Sequence, residues 1–315
     1  MRAIPLFALL LGGWCTVPAY ADEAQDWLNR LGQAEQQQSF QGTFVYERNG
    51  SFSTHNIWHR VQDGKVRERL LQLDGSAQEV VRIDGRTQCV SGSLIAGLGN
   101  TPDGTARALD PQKLKNWYDL AVIGKSRVAG RPAVIVALTP KDQHRYGFEL
   151  HLDKETGLPL KSLLLNDKGQ LLERFQFTRM NVAAPAEADL QASADCKVVA
   201  QDPDKAAAVK ASWHSDWLPP GFELASSTAR KDPDTKVLVN SLMYDDGLAR
   251  FSVFLEPLNG ANATDTRTQL GPTAAVSRRL TTPQGEMMVT VVGEIPIGTA
   301  ERIALSMRSD VTATQ

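Results

Sequence analysis

Residues 40–91 read FQGTFVYERNGSFSTHNIWHRVQDGKVRERLLQLDGSAQEVVRIDGRTQCVS, and this stretch decides the fold. It contains four Asn-Gly or Asp-Gly pairs, at Asn49-Gly50, Asp63-Gly64, Asp74-Gly75 and Asp84-Gly85. Each pair can supply the positive φ angles that a two-residue hairpin turn requires. Tight turns cannot join parallel strands, which need a crossover of about a dozen residues or more. The segment is therefore predicted to be an antiparallel meander, and an α/β nucleotide-binding fold is disfavoured.

The sheet is predicted to continue after Trp117. Further turns are indicated at Ala129-Gly130, from Lys154 to Gly157 and from Asp167 to Gly169, and a last strand alternates through Glu173, Phe175 and Phe177. A sheet of nine or more strands results. Because twist makes so wide a sheet curl, a barrel or half-barrel is expected, and curling creates an interior.

Two other segments flank the meander. Helical spacing of apolar residues predicts an amphipathic helix over residues 22–39, with Asp22 as its N-cap. Residues 92–116 show no sustained period and predict a long loop or short helical pieces over the sheet. Long loops of this kind often serve as lids.

The N-terminal residues have the pattern of a secretory signal peptide. Arg2 precedes an apolar run, Ile4 to Trp14, and the small-residue pattern Ala19-Tyr20-Ala21 follows. The apolar run is shorter than the roughly 20 residues that a spanning helix needs, so a retained anchor is the less favoured alternative. Residues 1–21 are predicted to be removed on export.

The remaining chain is predicted to form two domains. Composition shifts towards Ala, Asp, Gln and Pro over residues 186–212, as in a linker. The expected domains are residues 22–185 and 213–315. For the second, we predict a small antiparallel sheet with strands near 236–244, 249–255 and 286–294, followed by a helix capped by Thr299.

Cys89 and Cys196 remain after the predicted cleavage. An oxidising compartment would permit them to pair. Sequence alone does not bring their Cα atoms within the roughly 4.4 to 6.8 Å that a bridge requires. A disulfide and two separate buried thiols therefore both stay open.

Composition and motifs argue against several functions. With 34 basic and 36 acidic residues, the net charge of −2 offers no field for nucleic acid. The sequence contains no nucleophile elbow, phosphate loop, dinucleotide fingerprint or zinc-protease motif. His55 and His59 would lie about 13 Å apart on a strand, which disfavours a shared metal. Asp245-Asp246 precede Gly247 and are interpreted as turn formers. No cofactor and no catalysis are predicted.

Five aromatic residues lie on predicted strands of the curled sheet. Large rings on one face most often fill an ordinary core, and an apolar ligand cavity is the alternative. The candidate lining residues are Phe44, Tyr46, Trp58, Phe175 and Phe177.

Five longer runs carry a resemblance to a known family. They are DWLPPGFEL (216–224), YDDGLARFSVF (244–254), VTVVGEIPIGTAERIALSM (289–307), YDLAVIGKSRVAGRPAVIV (118–136) and HLDKETGLPLKSLLLNDKGQLLERFQFTRMNV (151–182). The chain resembles the RseB/MucB regulators of the envelope-stress sigma factor pathway in Gram-negative bacteria. The match is weak between Ser91 and Gln112.

The resemblance implies a β-rich, α+β fold in which an N-terminal half-open antiparallel barrel, similar to the lipoprotein carrier LolA, has helices over its concave face. It further implies a periplasmic negative regulator that binds the periplasmic segment of a transmembrane, RseA/MucA-like anti-sigma factor. That binding would shield the segment from regulated proteolysis and keep the sigma factor inactive. Lipid or lipopolysaccharide in the first domain would trigger release.

Two other classes remain: a periplasmic lipid or lipoprotein carrier, and an envelope enzyme. A simple carrier has no evident need of the second domain, and a hydrolase would need a nucleophile or metal constellation. Interface statistics favour Trp, Tyr and Arg, so the candidate partner-binding residues are Trp217, Phe222, Tyr244, Arg250 and Phe251. Homo-oligomer formation stays open.

Overall fold

The computed structural model describes residues 20–76, 78–92, 109–199, 207–232, 235–260, 263–282 and 285–310. The predicted signal peptide lies outside these ranges apart from positions 20 and 21, and so does most of the predicted loop at 92–116. Within them, no helix is long and apolar enough to cross a bilayer.

An eleven-stranded antiparallel sheet dominates the first part of the chain and confirms the predicted meander. Its spatial order is β11-β5-β4-β3-β2-β1-β10-β9-β8-β7-β6. The strands are β1 (Phe40–Arg48), β2 (Ser51–Gln62), β3 (Lys65–Gln72), β4 (Glu79–Ile83), β5 (Arg86–Ser91), β6 (Tyr118–Val128), β7 (Arg131–Pro140), β8 (Gly147–Asp153), β9 (Pro159–Leu165), β10 (Leu171–Asn181) and β11 (Lys197–Val198).

Three of the four predicted hairpin turns have positive φ at both residues, at Asn49-Gly50, Asp63-Gly64 and Asp84-Gly85. The prediction for Asp74-Gly75 is wrong. Only Gly75 has positive φ there, and six residues separate β3 from β4. The Asp74 carboxylate accepts a hydrogen bond from the Thr54 backbone N–H, which holds this wider loop against β2.

Helix α1 (Tyr20–Gln37) packs on β6 and β7, and α2 (Pro111–Leu114) follows the N-cap Asp110. Within α1, Ala24 and Leu28 are fully buried, so the predicted amphipathic helix is confirmed. The prediction of Asp22 as its N-cap is wrong because Asp22 lies in the first turn, where a carboxylate also favours the helix dipole.

A seven-stranded antiparallel sheet forms the second part, in the order β12-β14-β15-β16-β19-β18-β17. Its strands are β12 (Ala207–Ala208), β14 (Glu223–Lys231), β15 (Leu238–Asp245), β16 (Arg250–Pro257), β17 (Thr266–Leu270), β18 (Thr273–Thr282) and β19 (Gly285–Gly293). A separate pair consists of β13 (Trp213–Ser215) and β20 (Met307–Ser309). The three predicted strands correspond to β15, β16 and β19, whereas β14, β17 and β18 were not predicted.

Helix α3 (Ile297–Ser306) covers one face of this sheet. Val253, Val291 and Ile303 are fully buried between the helix and the strands. The prediction of Thr299 as the helix cap is wrong. The helix begins two residues earlier, after Pro296, and Thr299 is itself helical and buried. The predicted small α+β unit is otherwise confirmed.

Residues 187–198 form a strap that lies on the first sheet. The strap starts with a 3-10 turn, Glu187–Leu190, in which Leu190 is buried, and it ends with β11 beside β5. Glu79, only 1% exposed, accepts hydrogen bonds from Arg69 and from Ser193 of the strap. A disulfide joins Cys89 to Cys196, with 5.5 Å between their Cα atoms, and this closes the question that the sequence left open.

We predict that replacing both Cys89 and Cys196 by Ala lowers the free energy of unfolding by about 4 kcal/mol, because the bridge closes a loop of about a hundred residues in the unfolded chain. Urea unfolding of protein that starts at Asp22, with and without reductant, measures the loss. The variant itself serves as the control, since reductant should not change its unfolding. Two free thiols per unfolded, unreduced wild-type chain would contradict the bridge.

Candidate functional site

Three of the predicted lipid-binding rings form one cluster inside the first sheet. Phe44 on β1 faces Phe177 on β10, and their ring centroids lie 5.9 Å apart. Phe175 lies 4.6 Å from the first ring and 5.1 Å from the second. The side chains of Phe44 and Phe177 are 7% and 2% exposed, so they are closed off from water. The structure therefore brings these three residues together as packed core.

The other two candidates differ in position. Tyr46 is partly buried beside the cluster, and its hydroxyl donates to Glu173 at 2.6 Å. Burial, together with this hydrogen bond, raises the pKa of Tyr46. Trp58 alternates along β2 with Ile57 and His59, which face the cluster, so Trp58 lies on the opposite face. The structure does not bring Trp58 to the other four.

Two histidines of β2 lie on the same face of the sheet as the aromatic cluster, which the sequence analysis did not predict. His55 stacks on Phe44 at 5.0 Å, and His59 stacks on Phe40 at 4.7 Å. Burial lowers the pKa of His55, which favours the neutral imidazole. His59 contacts the Glu35 carbonyl at 3.0 Å, so it ties the end of α1 to the sheet. No group of three metal ligands occurs among the described residues.

Three of the five predicted partner-binding residues lie in the core of the second sheet. Phe222, Tyr244 and Phe251 are 5%, 3% and 1% exposed, and the last two stack with centroids 5.1 Å apart. The structure therefore places these three rings in the packed core of the second domain. Arg250 differs, because its side chain is 40% exposed and pairs with Asp245 at 3.1 Å.

Trp217 lies where the two domains meet. The Arg302 guanidinium covers its ring at 3.8 Å, and His144 of the first domain meets it edge-on at 5.0 Å. His144 also contacts the Thr299 hydroxyl at 3.1 Å. The ring is therefore a contact between domains as well as a candidate for partner binding.

A buried arginine forms the centre of this contact. Arg145, with a fully buried side chain, donates to Asp246 at 2.5 Å and to the Pro220 carbonyl at 2.5 Å, both in the second domain. It also pairs with Asp142 at 3.0 Å. Three rings surround the guanidinium with centroids at 5.1 to 5.8 Å, and they belong to Trp117, Tyr118 and Phe222.

Sequence reasoning missed this arrangement. Asp246 does act as a turn former, since it accepts hydrogen bonds from the backbone N–H groups of Leu248 and Ala249. Burial raises the pKa of Asp246, while those hydrogen bonds and the Arg145 charge oppose the rise. No local pattern pairs two residues that lie 101 positions apart in the chain.

A second contact between the domains centres on Arg48. Its guanidinium donates to the Thr273 hydroxyl and pairs with Glu294 at 3.5 Å, while Glu173 of its own domain lies 3.8 Å away. Burial, with Glu173 nearby, raises the pKa of Glu294. A cavity of about 350 Å³ also joins the domains, with Tyr146 and Leu172 on one side and Ile297 on the other.

Two family models match the chain. The MucB/RseB N-terminal domain matches residues 23–195, and the MucB/RseB C-terminal domain matches residues 207–308. The sigma factor AlgU regulatory protein MucB of Pseudomonas aeruginosa is 64% identical over 317 residues, covering 99% of each chain.

Two solved structures extend the comparison. The complex structure of Pseudomonas aeruginosa MucA/MucB matches with a TM-score of 0.83 and 64% identity over 92% of this chain and all of that one. A crystal structure of MucB matches with a TM-score of 0.68 and 62% identity over 91% of this chain and 98% of that one. By these family models and this degree of identity, the chain belongs to the MucB/RseB family.

Proposed function

We propose that the protein is a periplasmic regulator that binds the periplasmic segment of a transmembrane anti-sigma factor and shields it from regulated proteolysis. The envelope-stress sigma factor is thereby kept inactive. The observation that carries the proposal is the likeness, over nearly the whole chain, to a MucB solved together with MucA. A regulator of this kind acts by binding and requires no catalytic group.

Export and domain division are part of the same proposal. Residues 1–21 are removed as a signal peptide. The mature protein divides into residues 22–185, a linker at 186–212 whose first part, the strap at 187–198, lies on the first sheet, and residues 213–315. The two separate sheets, each with its own buried core, support a division in this region.

For the partner site, we propose direct contacts at Arg250 and Trp217. Arg250 is accessible, and guanidinium groups are frequent anchors at interfaces. Trp217 is only partly buried and lies at the junction of the domains. Phe222, Tyr244 and Phe251 then act through the fold, since they hold the strand that carries Arg250.

For the release signal, we propose that an acyl chain enters the aromatic cluster of Phe44, Tyr46, Phe175 and Phe177. These rings pack against one another, so an entering acyl chain requires them to separate. Lipid then favours a conformation that holds the partner poorly, and linkage requires the partner to weaken lipid binding by the same factor. Trp58, on the opposite face, is not a contact in this proposal. A lipid carrier without partner binding is the competing function.

Arg250→Ala is expected to weaken the affinity for the anti-sigma periplasmic segment about tenfold. Because the buried Asp245 carboxylate also loses this cation, the free energy of unfolding should fall by about 1 to 2 kcal/mol. Phe251→Ala should lower the free energy of unfolding more, by about 3 to 5 kcal/mol. Calorimetric titration beside thermal unfolding separates the two effects. Arg230→Ala, an exposed arginine on β14, is the matched control and should change neither.

Failure of the wild-type protein to bind the segment would contradict the regulatory function itself. Unchanged affinity in Arg250→Ala, with the wild type binding normally, would remove Arg250 from the site and leave the function standing.

Phe175→Ser is expected to abolish lipid-driven dissociation while it spares partner capture. Because the Phe175 ring is only partly buried, this substitution should leave the domain folded. Lysophospholipid titrated into the preformed complex should weaken the wild-type affinity by about 5- to 150-fold. Phe52→Ser is the matched control, since Phe52 is 64% exposed on β2. If saturating lipid leaves the wild-type affinity unchanged, the release mechanism is wrong, although the shielding role can still hold.

A further inference from the structure

The contact around Arg145 joins the two domains through a charge that water does not reach. The side chains of Arg145 and Asp246 are both completely buried. The guanidinium donates a hydrogen bond to the Asp142 carboxylate of its own domain. It also donates to the Asp246 carboxylate and to the Pro220 carbonyl of the other domain. Its partners are therefore complete only when the two domains adopt one particular arrangement.

Energetics make such a contact selective. A buried ion pair adds little net stability over apolar packing, because desolvation offsets the attraction. A buried charge that lacks one partner is strongly unfavourable. Intermediate arrangements, in which Arg145 is shielded from water but lacks one of its hydrogen-bond partners, are therefore disfavoured. The domains either close fully or separate far enough for water to reach both charges.

The surrounding surfaces fit closely. Gly221 has φ of +90°, and a Cβ built there would lie 2.2 Å from the Trp117 ring, so the backbone lies directly on the indole. Lys113 pairs with Glu223 at 2.8 Å on one side. Beyond the buried pair, His144 and Trp217 extend the contact towards α3.

We propose that the Arg145–Asp246 pair is a latch that holds the two domains in the arrangement that binds the partner, so that partner affinity depends on residues the partner does not touch. The second half of this inference rests on the proposed function. Trp217 supplies the connection, because it belongs both to the domain contact and to the proposed partner site.

The test uses the full mature chain and three variants. Asp246→Asn keeps the shape of the side chain and removes its charge. Gly221→Ala adds a methyl group that pushes against the Trp117 ring in the same contact, without changing a charge. Arg278→Gln is the matched control, since Arg278 pairs with Glu301 inside the second domain. Small-angle X-ray scattering without partner reports the domain arrangement, near-ultraviolet circular dichroism reports the fold, and calorimetry with the anti-sigma periplasmic segment reports affinity.

The expected result is a larger radius of gyration and at least about tenfold weaker partner binding for Asp246→Asn and Gly221→Ala, with native dichroism, and no change for Arg278→Gln. Unchanged scattering in both folded variants would overturn the latch. Changed scattering with unchanged affinity would overturn its role in binding. Loss of the folded spectrum in both variants would also overturn it, because the contact would then support a core. If the wild type does not bind, the proposed function fails and the scattering still decides the latch.

Discussion

A charge that is withdrawn from water has to be matched by opposite charge and by hydrogen-bond acceptors. In this protein, that requirement falls on Arg145, whose acceptors come from both domains. Each domain has its own core, and several contacts join the two, among them those of Arg48 and Trp217; the Arg145 guanidinium joins them with a side chain that is fully buried. In the latch that we propose, this contact disfavours other arrangements of the two domains, because they would leave the buried charge without one of its partners.

Much of the fold could be predicted because its signals are local. Paired Asn-Gly and Asp-Gly residues specify positive φ at two adjacent positions, and three such pairs form the expected turns. Asp74-Gly75 failed because a two-residue signal does not reveal that four more residues join the loop. Strand β17, with all its residues exposed, was missed because it lacks the apolar alternation by which buried strands are recognised.

The candidate site was less predictable, because its contacts join residues that are distant in sequence. Alternation placed Phe175 and Phe177 on one face correctly, yet the same rule, applied in the right register, puts Trp58 on the other. Aromatic type suggested Tyr244 and Phe251 as interface residues, whereas burial makes them core. Asp246 looked like an ordinary turn residue, since nothing nearby in the sequence indicates that its charge meets Arg145.

The strap has a consequence for how far the domains can part. Val199, directly after the strap, donates a backbone hydrogen bond to the Gln88 carbonyl near the edge of the first sheet, and Ala207 already pairs with β14 of the second. Eight peptide units join these two points, which limits their separation to roughly 29 Å at about 3.6 Å per residue. An opened second domain is thus confined to a small volume, at an effective concentration in the millimolar range. Reclosure is a unimolecular step whose rate does not depend on how much of the protein the cell exports.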